Sequence, residues 1–103
     1  MGNLVNKIFS KQEEIKTENE YMTDISYFQK KCWRFNMNEE AIFKETRRYI
    51  NKLKLTEDKH PFLTGFRVDL NDMYKNEGYN RERYTKLFNE FYRYKNKLSG
   101  IQI

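Results

Sequence analysis

The chain is poor in the residues that build disulfide frameworks, metal sites and rigid linkers. Among 103 residues there is one cysteine, Cys32, one histidine, His60, and one proline, Pro61. A lone cysteine excludes an intramolecular disulfide, and a lone histidine far from it leaves no zinc-ligand spacing. A reducing, cytoplasmic setting is the expectation. No apolar run reaches the roughly 18 residues needed to cross a bilayer. The opening Met-Gly-Asn-Leu-Val-Asn lacks a secretory apolar core and the Ser or Thr that myristoylation needs at the sixth position. Gly-rich phosphate loops, internal repeats and Pro/Ser-rich linkers are missing too, so residues 1–103 read as a single domain.

These absences weigh against an enzyme. Cys32 falls on an apolar helical stripe, where it reads as a small buried hydrophobe, and His60 beside Pro61 reads as a surface or turn residue. The carboxylate pairs Glu13/Glu14, Glu39/Glu40 and Asp69/Asp72 sit at helix starts or on exposed faces, where capping and solvation account for them. No catalytic residue, metal or cofactor is expected. Residues 1–20 carry a net negative charge, which argues against docking of the amino terminus on anionic lipid.

What the chain does have is aromatic residues and positive charge. Only 38% of residues are hydrophobic, so the 17% that are aromatic must supply much of the core. Each such ring buries on the order of 150–250 Å². The net charge of +5 is unevenly spread: residues 21–55 and 80–103 each carry a surplus of four positive charges, with an acidic connector between them. If the fold brings the two basic blocks side by side, they make one surface that attracts phosphate backbones. The abundance of Lys and Asn is of the sort that AT-rich coding produces in low-GC bacteria, phages, plasmids and other mobile elements.

Helical spacing recurs throughout. Leu4, Val5, Ile8, Phe9 and Ile15 mark a helix over about Asn3–Thr17, ended by the polar run Lys16–Glu20. Thr23-Asp24 then offers a cap for a helix whose stripe is Ile25, Phe28, Cys32 and Phe35. Asn38, followed by Glu39 and Glu40 against the positive end of the helix dipole, starts a helix to about Lys54. Its inner face is Ile42, Thr46, Tyr49, Ile50 and Leu53, with Lys44, Arg47, Arg48, Asn51 and Lys52 outward. Residues 55–66 read as irregular because of Pro61 and Gly65, and Phe66, Leu70, Met73 and Tyr74 as a short helix ending before Gly78. A strand over Phe62–Leu70 has no partner strand to pair with. Asn80 caps a last helix, Arg81–Leu98, which ends at Ser99-Gly100. The expected fold is an all-α single-domain bundle of four to five helices, with the amino-terminal helix packed across the others or onto a second copy.

The last helix divides its faces. Tyr84, Leu87, Phe88, Phe91, Tyr94 and Leu98 form a packing stripe, and Arg83, Lys86, Arg93 and Lys97 lie on another side, interrupted by Glu90. Three readings follow. The first is a helix-turn-helix within residues 68–98, where Glu77-Gly78-Tyr79-Asn80 is the turn and Arg81, Arg83 and Lys86 reach bases or phosphates. Bulky Tyr74 at the helix approach and polar Glu77 in the turn count against it. The second is a single-strand or RNA surface combining Tyr27, Trp33 and Tyr92 with Lys30, Lys31, Arg34, Arg93 and Lys95; for each ring alone, core or dimer packing is the simpler account. The third is an interaction module or inhibitor acting on an acidic protein, with self-association through the amino-terminal helix or the Ile101-Gln102-Ile103 tail.

The expectation with most support is a small, non-enzymatic regulatory or accessory factor that binds nucleic acid, DNA ahead of RNA. Arg47, Arg48, Arg81, Arg83, Lys86 and Arg93 are its candidate phosphate and base contacts.

Overall fold

A computed structural model describes residues 15–100, which form four helices: α1 (Glu18–Arg34), α2 (Glu39–Asn51), α3 (Pro61–Glu77) and α4 (Arg81–Leu98). Among the described residues there is no strand, so the all-α expectation holds. The helix expected over Asn3–Thr17 and the Ile101-Gln102-Ile103 tail lie outside the described residues, except that positions 15–17 are not helical.

The polar run expected to interrupt the chain instead starts α1. Thr17 Oγ1 accepts the backbone N–H of Glu20, and Glu20 Oε1 accepts that of Thr17, at 3.1 and 2.8 Å. This reciprocal box satisfies two otherwise orphaned donors. Thr23-Asp24 is therefore interior to α1 rather than its cap, and Asp24 pairs with Lys16 at 2.8 Å. At the other end Asn36 takes φ 58°, a left-handed turn that asparagine tolerates better than most side chains. Phe35, placed on the inner stripe by spacing alone, lies just beyond the last helical residue and is 75% exposed.

Asn38 caps α2 as expected, its Oδ1 accepting Ala41 N–H at 2.8 Å, but α2 stops at Asn51, short of Lys54. The irregular stretch is also shorter than 55–66, because Pro61 opens α3 instead of breaking it. Proline costs nothing at a first helical position, where no partner for its N–H exists anyway. His60 offers no side-chain cap there. The cap comes from another helix: Glu18 Oε2 accepts Leu63 N–H at 2.8 Å, and Tyr94 Oη donates to Glu18 Oε1 at 3.1 Å. A nearly buried carboxylate is thus held by two donors at the positive end of α3.

His60 is fully buried, contrary to the surface role expected of it. Thr56 N–H donates to Nδ1 at 3.0 Å, so Nε2 carries the proton and donates to the carbonyl of Lys16 at 2.7 Å. A side chain in a loop becomes a tie between that loop and the start of α1.

The core draws on all four helices. Met22 and Ile25 of α1, Ile42, Phe43 and Ile50 of α2, Leu63, Phe66, Leu70 and Met73 of α3, and Phe91 of α4 are buried almost completely. α3 contributes as much as any helix, more than its short expected length allowed. On α4, Tyr84, Leu87, Phe88 and Phe91 are buried and Tyr94 packs partly against them, whereas Leu98 is 41% exposed. α1 and α4 run antiparallel: Ser99 bonds Asn19 at one end, and Gln29 meets Tyr84 toward the other.

Candidate nucleic-acid interface

The six candidate cations are placed by two helices, Arg47 and Arg48 by α2 and Arg81, Arg83, Lys86 and Arg93 by α4, and are held in different ways. Arg47, expected to face outward from α2, is partly buried against α3. Its guanidinium centre lies 3.9 Å from the Tyr74 ring centroid, and Nη1 donates to Asn71 Oδ1 at 2.9 Å. Tyr74 therefore lies at the edge of the α2–α3 contact, 41% exposed, and is not a core residue. Arg48 pairs with Glu45 at 3.3 Å on the same helix.

At the α3–α4 junction a compact polar knot stands beside the apolar contact of Tyr79 with Phe43 and Tyr84. Gly78 turns the chain with φ 69°, and Asn80 Oδ1 accepts Arg83 N–H at 3.1 Å while its Nδ2 donates to Glu77 Oε1 at 2.8 Å. Arg83 Nη1 meets Glu77 Oε2 at 2.6 Å. The Asn80 amide and the Arg83 guanidinium hold the Glu77 carboxyl below its ordinary pKa. Arg81 reaches across to α2, with Nε 3.3 Å from Glu39 Oε2, the same oxygen that accepts the Tyr79 hydroxyl at 2.8 Å. Partial burial and this carboxylate push Tyr79 up to about 12.

Lys86 and Arg93 are exposed and meet no acid among the described residues. Lys86 lines a shallow hollow on the first half of α4 together with Arg81, Glu82, Thr85 and Asn89. Of the six candidate residues, the structure brings only Arg81 and Lys86 into one described recess.

That hollow runs into a cleft of about 270 Å³ between α1, α4 and the start of α2, and the two share Arg81, Thr85 and Asn89. Trp33 from α1 and Tyr92 from α4 both line this cleft and are 56% and 37% exposed. At its back, Gln29 Nε2 donates to Tyr84 Oη at 2.9 Å and Tyr92 Oη donates to Gln29 Oε1 at 2.7 Å. Burial pushes both tyrosine hydroxyls above their ordinary pKa.

Of the three off-stripe rings, Tyr92 packs edge to face on Phe91 at 5.1 Å between centroids, whereas Tyr27 and Trp33 are not core residues. Tyr27 is 59% exposed with Lys31 5.6 Å from its ring, and Trp33 lines the cleft with more than half of its surface exposed. Thr85, Asn89 and the cleft itself escaped the sequence reading. The available signal was that Thr85, Asn89 and Tyr92 follow Arg81 at intervals of four, four and three on one edge of α4.

No cluster of three or more potential metal ligands occurs among the described residues, and none of their helices is long and apolar enough to cross a membrane. Burial raises the pKa of the Cys32 thiol, the opposite of what a reactive thiolate needs. Set beside known proteins, the chain matches no family model, no curated protein and no solved structure.

Proposed function

We propose that this protein binds nucleic acid without catalysing a reaction, as a small regulatory or accessory factor, with the first half of α4 as its phosphate-gripping surface. The observation that carries the reading is that the Arg81–Lys86 hollow shares Arg81, Thr85 and Asn89 with a cleft that two exposed aromatic rings, Trp33 and Tyr92, help to line. Cations that hold a backbone beside rings that hold bases are the two components of nucleic-acid recognition. The acids beside Arg48, Arg81 and Arg83 are no bar. Exposed ion pairs contribute only about 0.2–1 kcal/mol each, so a phosphate can displace Glu39 or Glu77 at small cost.

Duplex docking would use α3, the Gly78-Tyr79-Asn80 turn and α4 as a helix-turn-helix. The Glu77–Asn80–Arg83 bonds and the packing of Tyr79 on Phe43 and Tyr84 fix that turn, and Arg81 and Arg83 stand at the start of the second helix. DNA is the expected ligand ahead of RNA. A protein partner is the second reading, favoured by the exposure of Tyr27 and Trp33 in the carboxy-terminal half of α1 and of Phe35 just after it.

Fluorescence anisotropy with labelled oligonucleotides tests the proposal. Affinity should fall with salt by a logarithmic slope of about 0.9 per phosphate neutralised on duplex DNA. The double substitution R81A/R83A should reduce that slope by about two, more than K30A/K31A does. Absence of salt-sensitive binding at low ionic strength, together with a partner retained from nuclease-treated extract, would transfer the assignment to a protein ligand.

A further inference from the structure

We infer that the cleft between α1 and α4 is a subsite for one unstacked nucleobase, so that the protein prefers single strands, ends or loops to intact duplex. The inference rests on the nucleic-acid reading and adds the form of the ligand. Three features support it. First, Trp33 of α1 and Tyr92 of α4 both line the cleft and remain 56% and 37% exposed, although the same chain buries Phe43, Phe66 and Phe91. Leaving large rings in water forgoes burial, and each offers a face on which any base can stack.

Second, the cleft is small. Its volume of about 270 Å³ lies just below the range of roughly 300–1,000 Å³ typical of pockets that enclose whole drug-sized ligands, which suits one planar ring system entering from an open side. Third, its polar groups suit a base edge at the wall, while Glu39 lines the cleft beside Arg81 and a phosphate at the mouth has to displace that carboxylate from Arg81. Asn89 offers two donors and an acceptor, and Thr85 a hydroxyl, neither engaged with another described side chain. Arg81 and Lys86 continue outward along the adjoining hollow, on the path a backbone would follow as its base turned in. Lys30 and Arg34 flank Trp33 on α1 and are exposed. A duplex keeps its bases stacked and could not enter the cleft without paying to flip one.

Trp33 is the only tryptophan in the chain, so its fluorescence reports on the cleft directly. The full chain is titrated with a single-stranded oligonucleotide, the matching duplex and a nucleoside monophosphate, following Trp33 emission and the anisotropy of labelled strands. The expected result is quenching by the single strand, tighter binding of it than of duplex, and a loss of roughly 5- to 150-fold in single-strand affinity for W33A, the range set by base–aromatic stacking. Duplex affinity should be unchanged in W33A, and W33F should retain part of the preference. An unchanged urea midpoint for W33A, expected for an exposed side chain, separates lost stacking from lost folding.

Equal affinity for both strand forms without quenching, and with W33A indistinguishable from the parent, would overturn the subsite while leaving phosphate binding intact. Quenching by the monophosphate with no strand binding would overturn it in favour of a free-nucleotide pocket. No binding of any probe would overturn the nucleic-acid reading as well. A protein captured from nuclease-treated extract in a Trp33-dependent manner would then identify the cleft as a protein contact.

Discussion

On the side of α4 that faces α3, Phe66 meets Phe88 edge to face at 5.0 Å between centroids, and Phe62 lies 6.5 Å from Phe91. On the side that faces α1, Tyr84 and Tyr92 meet Gln29 through their hydroxyls and the space between the helices stays open toward Trp33. The two sides use similar rings and differ by a few polar atoms. Phenylalanine completes its contacts with carbon, so helices lined by it close together. A tyrosine hydroxyl or a glutamine amide needs a partner at a fixed distance and direction, which holds helices in register without filling the space around the bond. The α3 side therefore supplies cohesion, and the α1 side supplies a shaped recess on a molecule already made stable elsewhere.

The comparison breaks most severely at Phe91. Fully buried and ringed by Phe62, Phe66, Phe88 and Tyr92, it should cost about 3–5 kcal/mol when replaced by alanine. Urea unfolding should show that as a large drop in midpoint, a sizeable part of the stability expected of so small a domain. Next comes Gln29→Leu on the other side of the helix. It leaves the buried Tyr84 hydroxyl without its 2.9 Å partner, and should cost about 1–3 kcal/mol. A stabilised Gln29→Leu variant would mean that the polar side contributes cohesion of the same kind as the apolar one.

A smaller effect is expected at the turn that sets the start of α4 relative to α3. Asn80→Ala removes the cap on Arg83 N–H and the amide that holds Glu77, and should cost about 1 kcal/mol. Smallest is the pH dependence of the same knot. Because the folded-state pKa of Glu77 is lowered, its contribution is fully present above the unfolded value of 4.5 and is lost as pH falls through the lowered value. Replacing Glu77 with Gln should flatten the decline in urea midpoint over that acidic window and leave neutral pH almost untouched. Parallel curves for parent and variant would show that the Arg83 pair contributes nothing measurable.

How much of this was legible beforehand varies along the chain in a physically sensible way. The limits of α4 and its cap at Asn80 were readable because capping and periodicity are local, governed by residues within one or two turns. The start of α1 was misplaced although its signal, Thr17 followed by Glu20, was present in the sequence. That short polar run resembles a linker until the reciprocal bonds are seen. Pro61 was read as a breaker because the residue that caps its helix, Glu18, is 45 positions from Leu63. His60 looked like a surface residue for a similar reason: its partner, the Lys16 carbonyl, lies 44 positions away.

By itself, then, the sequence determined that the chain is helical, which stripes are apolar and where cations gather, since each depends on spacing within one element. Which cations meet acids, which rings remain in water and whether a recess separates two helices were decided by tertiary structure. Those outcomes depend on what the neighbouring helix brings within bonding distance. Arg47 and Lys86 show the difference. Both are basic residues expected on outward helical faces, yet one lies on a tyrosine ring of the next helix and the other stands at the edge of an open hollow.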